Sequence, residues 1–189
     1  LHTFLLGDWL VIDDTYNASP ESVAGALEVL RYRARERARI AVLGDMLELG
    51  PRTQAEHYRV GRIAAEKAEL LLTYGPNGSR VVSGAITGGM PDTKAIVFED
   101  REKLVAALQR MAKPGDVILF KGSHGMHLEL VLEAFLKEES KNHKTLLSSQ
   151  VLNVSSFYYQ RTPKNVTQIY LLRKQHIKKV QKTLYTTNI

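Results

Sequence analysis

Short apolar runs alternate with longer amphipathic stretches along residues 9–139. Trp9-Leu10-Val11-Ile12, Ile40-Ala41-Val42-Leu43, Leu70-Leu71-Leu72-Thr73-Tyr74, Ala95-Ile96-Val97-Phe98 and Val117-Ile118-Leu119-Phe120 are five such runs. They are continuously apolar rather than alternating, which predicts strands covered on both faces. The first ends at Asp13-Asp14-Thr15, the second at Gly44 and the third at Gly75-Pro76-Asn77-Gly78. The stretches between them carry helical spacing. Ser19 is placed to cap a helix that has Pro20 in its first turn, with Val23, Ala26, Leu27 and Leu30 on one face. A second helix is predicted over Thr53 to Ala68, with Tyr58, Ile63 and Ala64 on one face and Gly61 interrupting it. Weaker spacing covers Ser79 to Thr87, before Gly88-Gly89. Glu102 to Met111 turns Leu104, Val105 and Leu108 inward. Pro114-Gly115-Asp116 marks a turn, and a last helix runs from Leu128 to Leu136.

Five strand-helix units in succession predict an α/β fold, a doubly wound and mostly parallel Rossmann-like sheet. Ligands of such sheets bind beyond the carboxyl ends of the strands. Three polar segments follow strand ends here: Asp13-Asp14-Thr15-Tyr16-Asn17, Gly44-Asp45-Met46-Leu47-Glu48 and Lys121-Gly122-Ser123-His124-Gly125. The topology alone is expected to gather them on one edge.

Charge divides the chain. All 20 acidic residues lie between Asp8 and Glu139, beside 17 of the 26 Lys and Arg. From Ser140 onward there are basic residues but no acid, Gly, Ala or Met. The sequence pI of 9.5 therefore belongs to the tail. Residues 1–139 are expected to form one domain, and 140–189 an unrelated basic extension, irregular or helical and poorly ordered. A basic amphipathic helix is the local expectation over Val166 to Leu184. Nucleic acid and anionic lipid are the less favoured partners of that tail. With no cysteine, disulfides and thiolate metal sites are excluded. No run of about 18 apolar residues occurs, so no membrane-spanning helix is expected. Leu1 to Trp9 lack the basic start of a signal peptide. A reducing cytoplasm is the default compartment. Without an initiator Met, the chain reads as a piece of a longer protein.

Each polar segment has two readings. Asp13 and Asp14 can accept hydrogen bonds from a ribose diol or orient Mg²⁺, and equally can be loop acids or a helix cap. Tyr16 and Asn17 add a stacking surface and an amide. Gly44 lets backbone approach a ligand, and Asp45 and Glu48 can position a cationic or amide substrate; the plain reading is a strand-turn-helix link. His57 sits on the following helix, where a lone histidine usually serves packing or surface. Lys121, Ser123 and the glycines can hold an anion at a helix N-terminus. The Gly-x-x-x-x-Gly-Lys-Ser/Thr phosphate loop occurs nowhere. His124 and His127 lack a clustered third ligand, so no metal site is expected.

Taken together, the three segments resemble the C-terminal domain of the Mur ligase family. Asp13-Asp14-Thr15-Tyr16-Asn17-Ala18-Ser19-Pro20, Leu43-Gly44-Asp45-Met46-Leu47-Glu48-Leu49-Gly50 and Lys121-Gly122-Ser123-His124-Gly125-Met126 carry the likeness. It covers about residues 7–138, and His57 matches a histidine that follows the second segment. Within the family the likeness is to ligases adding D-alanyl-D-alanine to UDP-N-acetylmuramoyl-tripeptide. Folylpolyglutamate synthase is a more distant relative. Such enzymes use ATP and Mg²⁺ and have N-terminal and central domains ahead of this one. The resemblance implies that Asp14, Tyr16 and Asn17 meet ATP on its ribose or adenosine side. It implies that Lys121, Ser123 and His124 face phosphate and the incoming dipeptide, with Asp45 and Glu48 positioning that dipeptide. The family's central phosphate loop, carbamylated lysine, Mg²⁺ ligands and early ATP-binding Arg have no counterpart in this sequence. The chain alone is therefore expected not to turn over substrate. The other class left open is a regulatory nucleotide- or peptide-binding module with a basic tail.

Overall fold

A computed structural model describes residues 1–6 and 8–137. The domain boundary expected at 139, the extension over 140–189 and the basic helix over 166–184 lie outside the described residues. By contacts, Leu1–Phe135 form one unit.

Every apolar run becomes a strand. They are β2 (Trp9–Asp14), β3 (Arg39–Gly44), β4 (Leu70–Tyr74), β5 (Ala95–Phe98) and β6 (Val117–Lys121). A further strand, β1 (His2–Leu6), was not foreseen from the sequence. It pairs antiparallel with β2, from His2 opposite Asp13 to Leu6 opposite Trp9. The other neighbours are parallel, in the order β1-β2-β6-β3-β4-β5.

Local chemistry sets the helix ends. α1 (Pro20–Ala34) opens with a capping box: Ser19 Oγ accepts from Ser22 N, and Ser22 Oγ accepts from Ser19 N. Its buried face is Val23, Ala26, Leu27, Leu30 and Ala34. α2 (Thr53–Lys67) buries His57, Val60, Gly61 and Ala64, a stripe at three- and four-residue spacing. Gly61 does not interrupt α2 as expected; the helix runs through it. A Cβ there would lie 1.9 Å from Val81 O of α3 (Gly78–Thr87). A Cβ at Gly84 of α3 would lie 2.0 Å from Tyr58 O. The two glycines let the helix backbones touch, which offsets their poor helix propensity. α4 (Arg101–Met111) is capped by Asp100, whose carboxylate accepts from Lys103 N at 2.7 Å. α5 begins at 128 and is helical to 137.

Two apolar layers sandwich the sheet. α1, α2 and α3 join Ile12, Ala41, Leu43, Leu71, Val117 and Leu119 in one buried cluster. The step from β5 back to β6 runs the opposite way along the sheet, so a right-handed crossover puts α4 on the other face. Phe120 points to that other face, with its ring centroid 6.2 Å from Phe135 of α5. β6 thus lies between β2 and β3, and the chain leaves it toward the face opposite α1 and α2. That divergence opens a crevice at the carboxyl ends of these strands.

Candidate functional site

All three polar segments meet at this crevice, and β6 holds them together. In register, Lys121 of β6 stands beside Asp14 of β2 and Leu43 of β3. Lys121 Nζ donates to Asp14 Oδ2 at 2.6 Å and to Asn17 O at 2.8 Å. Its residue is only 1% exposed. A buried ammonium is tolerated only when paired and hydrogen-bonded, as it is here. Ser123 Oγ accepts from Leu47 N at 2.9 Å and donates to Ala18 O at 3.4 Å. Ser123 N donates to Asp45 O at 3.0 Å. A Cβ on Gly122 would stand 3.1 Å from Gly44 Cα, so the second and third segments touch through glycine backbone.

The second segment is fixed from below as well. Asp45 is 2% exposed, and its carboxylate accepts from Asn77 N at 3.1 Å and Asn77 Nδ2 at 2.7 Å. That ties the β3–α2 loop to the β4–α3 loop. His57 is fully buried, and its Nε2 accepts from Met46 N at 3.0 Å.

The remaining expected residues form an exposed rim. Tyr16 is 63% exposed, and Asn17, Glu48 and His124 are exposed too. The Tyr16 and His124 rings lie 5.8 Å apart and are tilted by 41°. His127 continues the row, 6.0 Å from His124. Glu48 holds a left-handed φ of 65°, a strained backbone for a residue with a side chain. Beside this rim an open groove of about 410 Å³ lies beyond β4 and β5, lined by Tyr74, Pro76, Ser79, Glu99 and Met126 among others.

Burial therefore splits the expected set. Lys121, Ser123 and Asp45 point inward and are engaged by protein partners. Asp14 is partly exposed, and Tyr16, Asn17, Glu48 and His124 present a surface. Asn77 and the groove residues were missed in the sequence. The signal was available, because Gly75-Pro76-Asn77-Gly78 and Glu99-Asp100 also follow strand ends. Among the described residues no group of three or more His, Asp or Glu can hold a metal ion. Asp13 is turned to its own loop, accepting from Thr15 N and Oγ1.

A mostly parallel sheet with three loops knit together at its carboxyl edge defines a doubly wound, Rossmann-like α/β domain. Residues 4–124 match the family model described as Mur ligase, glutamate ligase domain. The UDP-N-acetylmuramoyl-tripeptide--D-alanyl-D-alanine ligase of Bacillus subtilis is 34% identical over 128 residues, covering 67% of this chain and 28% of its own length. That of Synechocystis is 37% identical over 134 residues, 69% of this chain and 28% of the relative. Among solved structures, the MurF ligase of Thermotoga maritima in complex with ADP has a TM-score of 0.63 at 32% identity. That match covers 74% of this chain and 31% of the other. The chain belongs to the Mur ligase family and carries its C-terminal domain. It spans less than a third of the length of these relatives. No helix among the described residues is long and apolar enough to cross a membrane.

Proposed function

We propose that this domain is the closing wall of an ATP-dependent ligase that adds D-alanyl-D-alanine to UDP-N-acetylmuramoyl-tripeptide in peptidoglycan synthesis, in the cytoplasm. The observation that carries the reading is the exposed rim, Tyr16, Asn17, Glu48 and His124, set on loops that buried Lys121, Ser123 and Asp45 hold rigid. In the reaction the tripeptide carboxylate attacks the γ-phosphate of ATP, giving an acyl phosphate and ADP. The dipeptide amine then attacks the acyl carbon, and phosphate leaves with the bond electrons. Water competes with that amine, so a lid that excludes it raises yield.

Each rim residue suits part of this task. Asp14 and Asn17 meet the ribose side of the nucleotide, and Tyr16 with His124 offers a stacking face. Glu48 carries the charge that attracts the dipeptide ammonium. Lys121 and Ser123, expected to face phosphate, act from within by setting the loops. In the family's plan a central domain would hold ATP with its Mg²⁺ and an N-terminal domain the nucleotide-sugar, and both would complete the enzyme.

The test mixes this chain with the separately produced N-terminal and central domains of the Bacillus subtilis relative. ADP release is followed with UDP-N-acetylmuramoyl-tripeptide and D-alanyl-D-alanine present. Turnover is expected in the mixture and not from either part alone. Tyr16→Ala and His124→Ala should each weaken nucleotide binding about tenfold, the worth of one aromatic contact. A mixture that neither turns over nor binds ADP or the dipeptide would overturn the reading.

A further inference from the structure

The buried imidazole of His57 is not used by the reaction just described. His57 lies on α2, fully enclosed, with both ring nitrogens engaged. Met46 N–H points at Nε2 from 3.0 Å, so Nε2 must offer a lone pair. Thr53 O lies 2.7 Å from Nδ1, and a carbonyl only accepts, so Nδ1 must carry the proton. The two demands select the same neutral tautomer. A ring enclosed in this way cannot reach a ligand or trade protons with one.

We propose that His57 is a positioning residue: a single-tautomer imidazole peg that fixes the Asp45–Glu48 loop from the α2 side. The loop is held from three directions. Ser123 takes Leu47 N–H and gives its own N–H to Asp45 O, both from the end of β6. Asn77 holds the Asp45 carboxylate from the β4–α3 loop. His57 takes the amide between these two, Met46 N–H. Successive amides at 46 and 47 are thus pinned by different elements, and the loop cannot rock about either bond alone. Glu48 follows directly, in its left-handed conformation with an exposed side chain. The peg therefore sets the direction of the loop's one exposed carboxylate. Asp45 Oδ1, 3.9 Å from Nε2, stays committed to Asn77 rather than to the ring. The placement rests on reading this loop as part of the ligand face; the tautomer and the hydrogen bond do not.

Nitrogen NMR of the full chain at neutral pH tests it. His57 should show a pyrrole-type Nδ1, a pyridine-type Nε2 and a scalar coupling between Nε2 and the Met46 amide nitrogen. A protonated Nε2, or no coupling, overturns the proposal without any variant. His57→Leu keeps the bulk and removes the acceptor, and His57→Gln restores an acceptor. Met46 amide exchange should speed up about tenfold in His57→Leu, the worth of one hydrogen bond, while Leu119 and Phe120 amides are unchanged. His57→Gln should recover part of that protection. Unchanged Met46 exchange in a folded His57→Leu chain also overturns it. In the three-domain mixture, His57→Leu should weaken D-alanyl-D-alanine binding about tenfold through the freed Glu48. If the unaltered mixture neither turns over nor binds ADP or the dipeptide, the proposed function fails while the peg stands or falls on the NMR alone.

Discussion

The two ends of the sheet solve opposite problems with the same side-chain chemistry. At the carboxyl ends, Lys121, Asp45, Ser123 and His57 are buried and each is matched to a named partner. At the amino ends, arginine alternates through Arg31, Arg33, Arg35, Arg37 and Arg39, and the charges stay near water. Arg37 reaches back to Ala34 O and Arg33 O, covering carbonyls that α1 leaves unpaired. Arg39 pairs with Glu69, its backbone N–H also donating to that carboxylate at 2.7 Å. Burial, not charge count, decides which end is rigidly specified. A polar group shut away from water has one acceptable partner, whereas a solvated one has many.

This contrast can be broken most directly at Lys121. Lys121→Met leaves the Asp14 carboxylate without its ammonium, and a loss of about 3 kcal/mol in urea unfolding is expected for breaking a mostly buried pair. Adding Asp14→Leu should recover over half of it; a double variant as unstable as the single would show that packing, not charge, sets the cost. Asp45→Ala comes next. It strands Asn77 N–H and Nδ2–H, for an expected loss of about 2 kcal/mol and faster exchange at the β4–α3 loop. The smallest effect belongs to the amino end. Arg39→Ala should cost less than about 1 kcal/mol and lose most of even that in high salt.

Acid titration sharpens the same point. Burial pushes the Glu69 carboxyl upward, but hydrogen bonds from the Arg39 side chain and backbone outweigh it and hold it below its ordinary 4.5. A depressed native value means the unfolded chain takes up the proton first. The pair's contribution is therefore complete above about 4.5 and fades as pH falls through the lower native value. Arg39, raised by its hydrogen bond to Glu69, adds no dependence below the arginine range. Glu69→Gln should flatten the acid limb of a stability-against-pH curve; an unchanged limb would remove Glu69 from the account.

Much of the fold was legible because five apolar runs and their helix spacings are local signals. β1 was not, since His2–Leu6 is a half-exposed edge strand whose identity depends on its pairing with β2. Gly61 was misread as an interruption because helix propensity is local, whereas its value lies in contact with α3. At the carboxyl edge, strand-end position foretold that the three segments would meet. They could not tell which polar groups face in. Lys121 and Tyr16 are equally good ligand residues on paper, and only the packing around β6 makes one a brace and the other a surface.

The position of β6 has a consequence for how the domain forms. Without it, the sheet is two fragments, β1-β2 and β3-β4-β5, with unpaired edges at β2 and β3. The joining strand is the last of the six to leave the ribosome, and its Lys121–Asp14 contact closes a loop of 107 residues. Long-range closure of this kind slows folding, and open apolar edges meanwhile invite wrong pairing. A chain stopped short of residue 117 would lack β6 and α5, and with them both the continuous sheet and the crevice. The edge at which the three loops meet is thus assembled late, by the same strand that joins the two halves of the sheet.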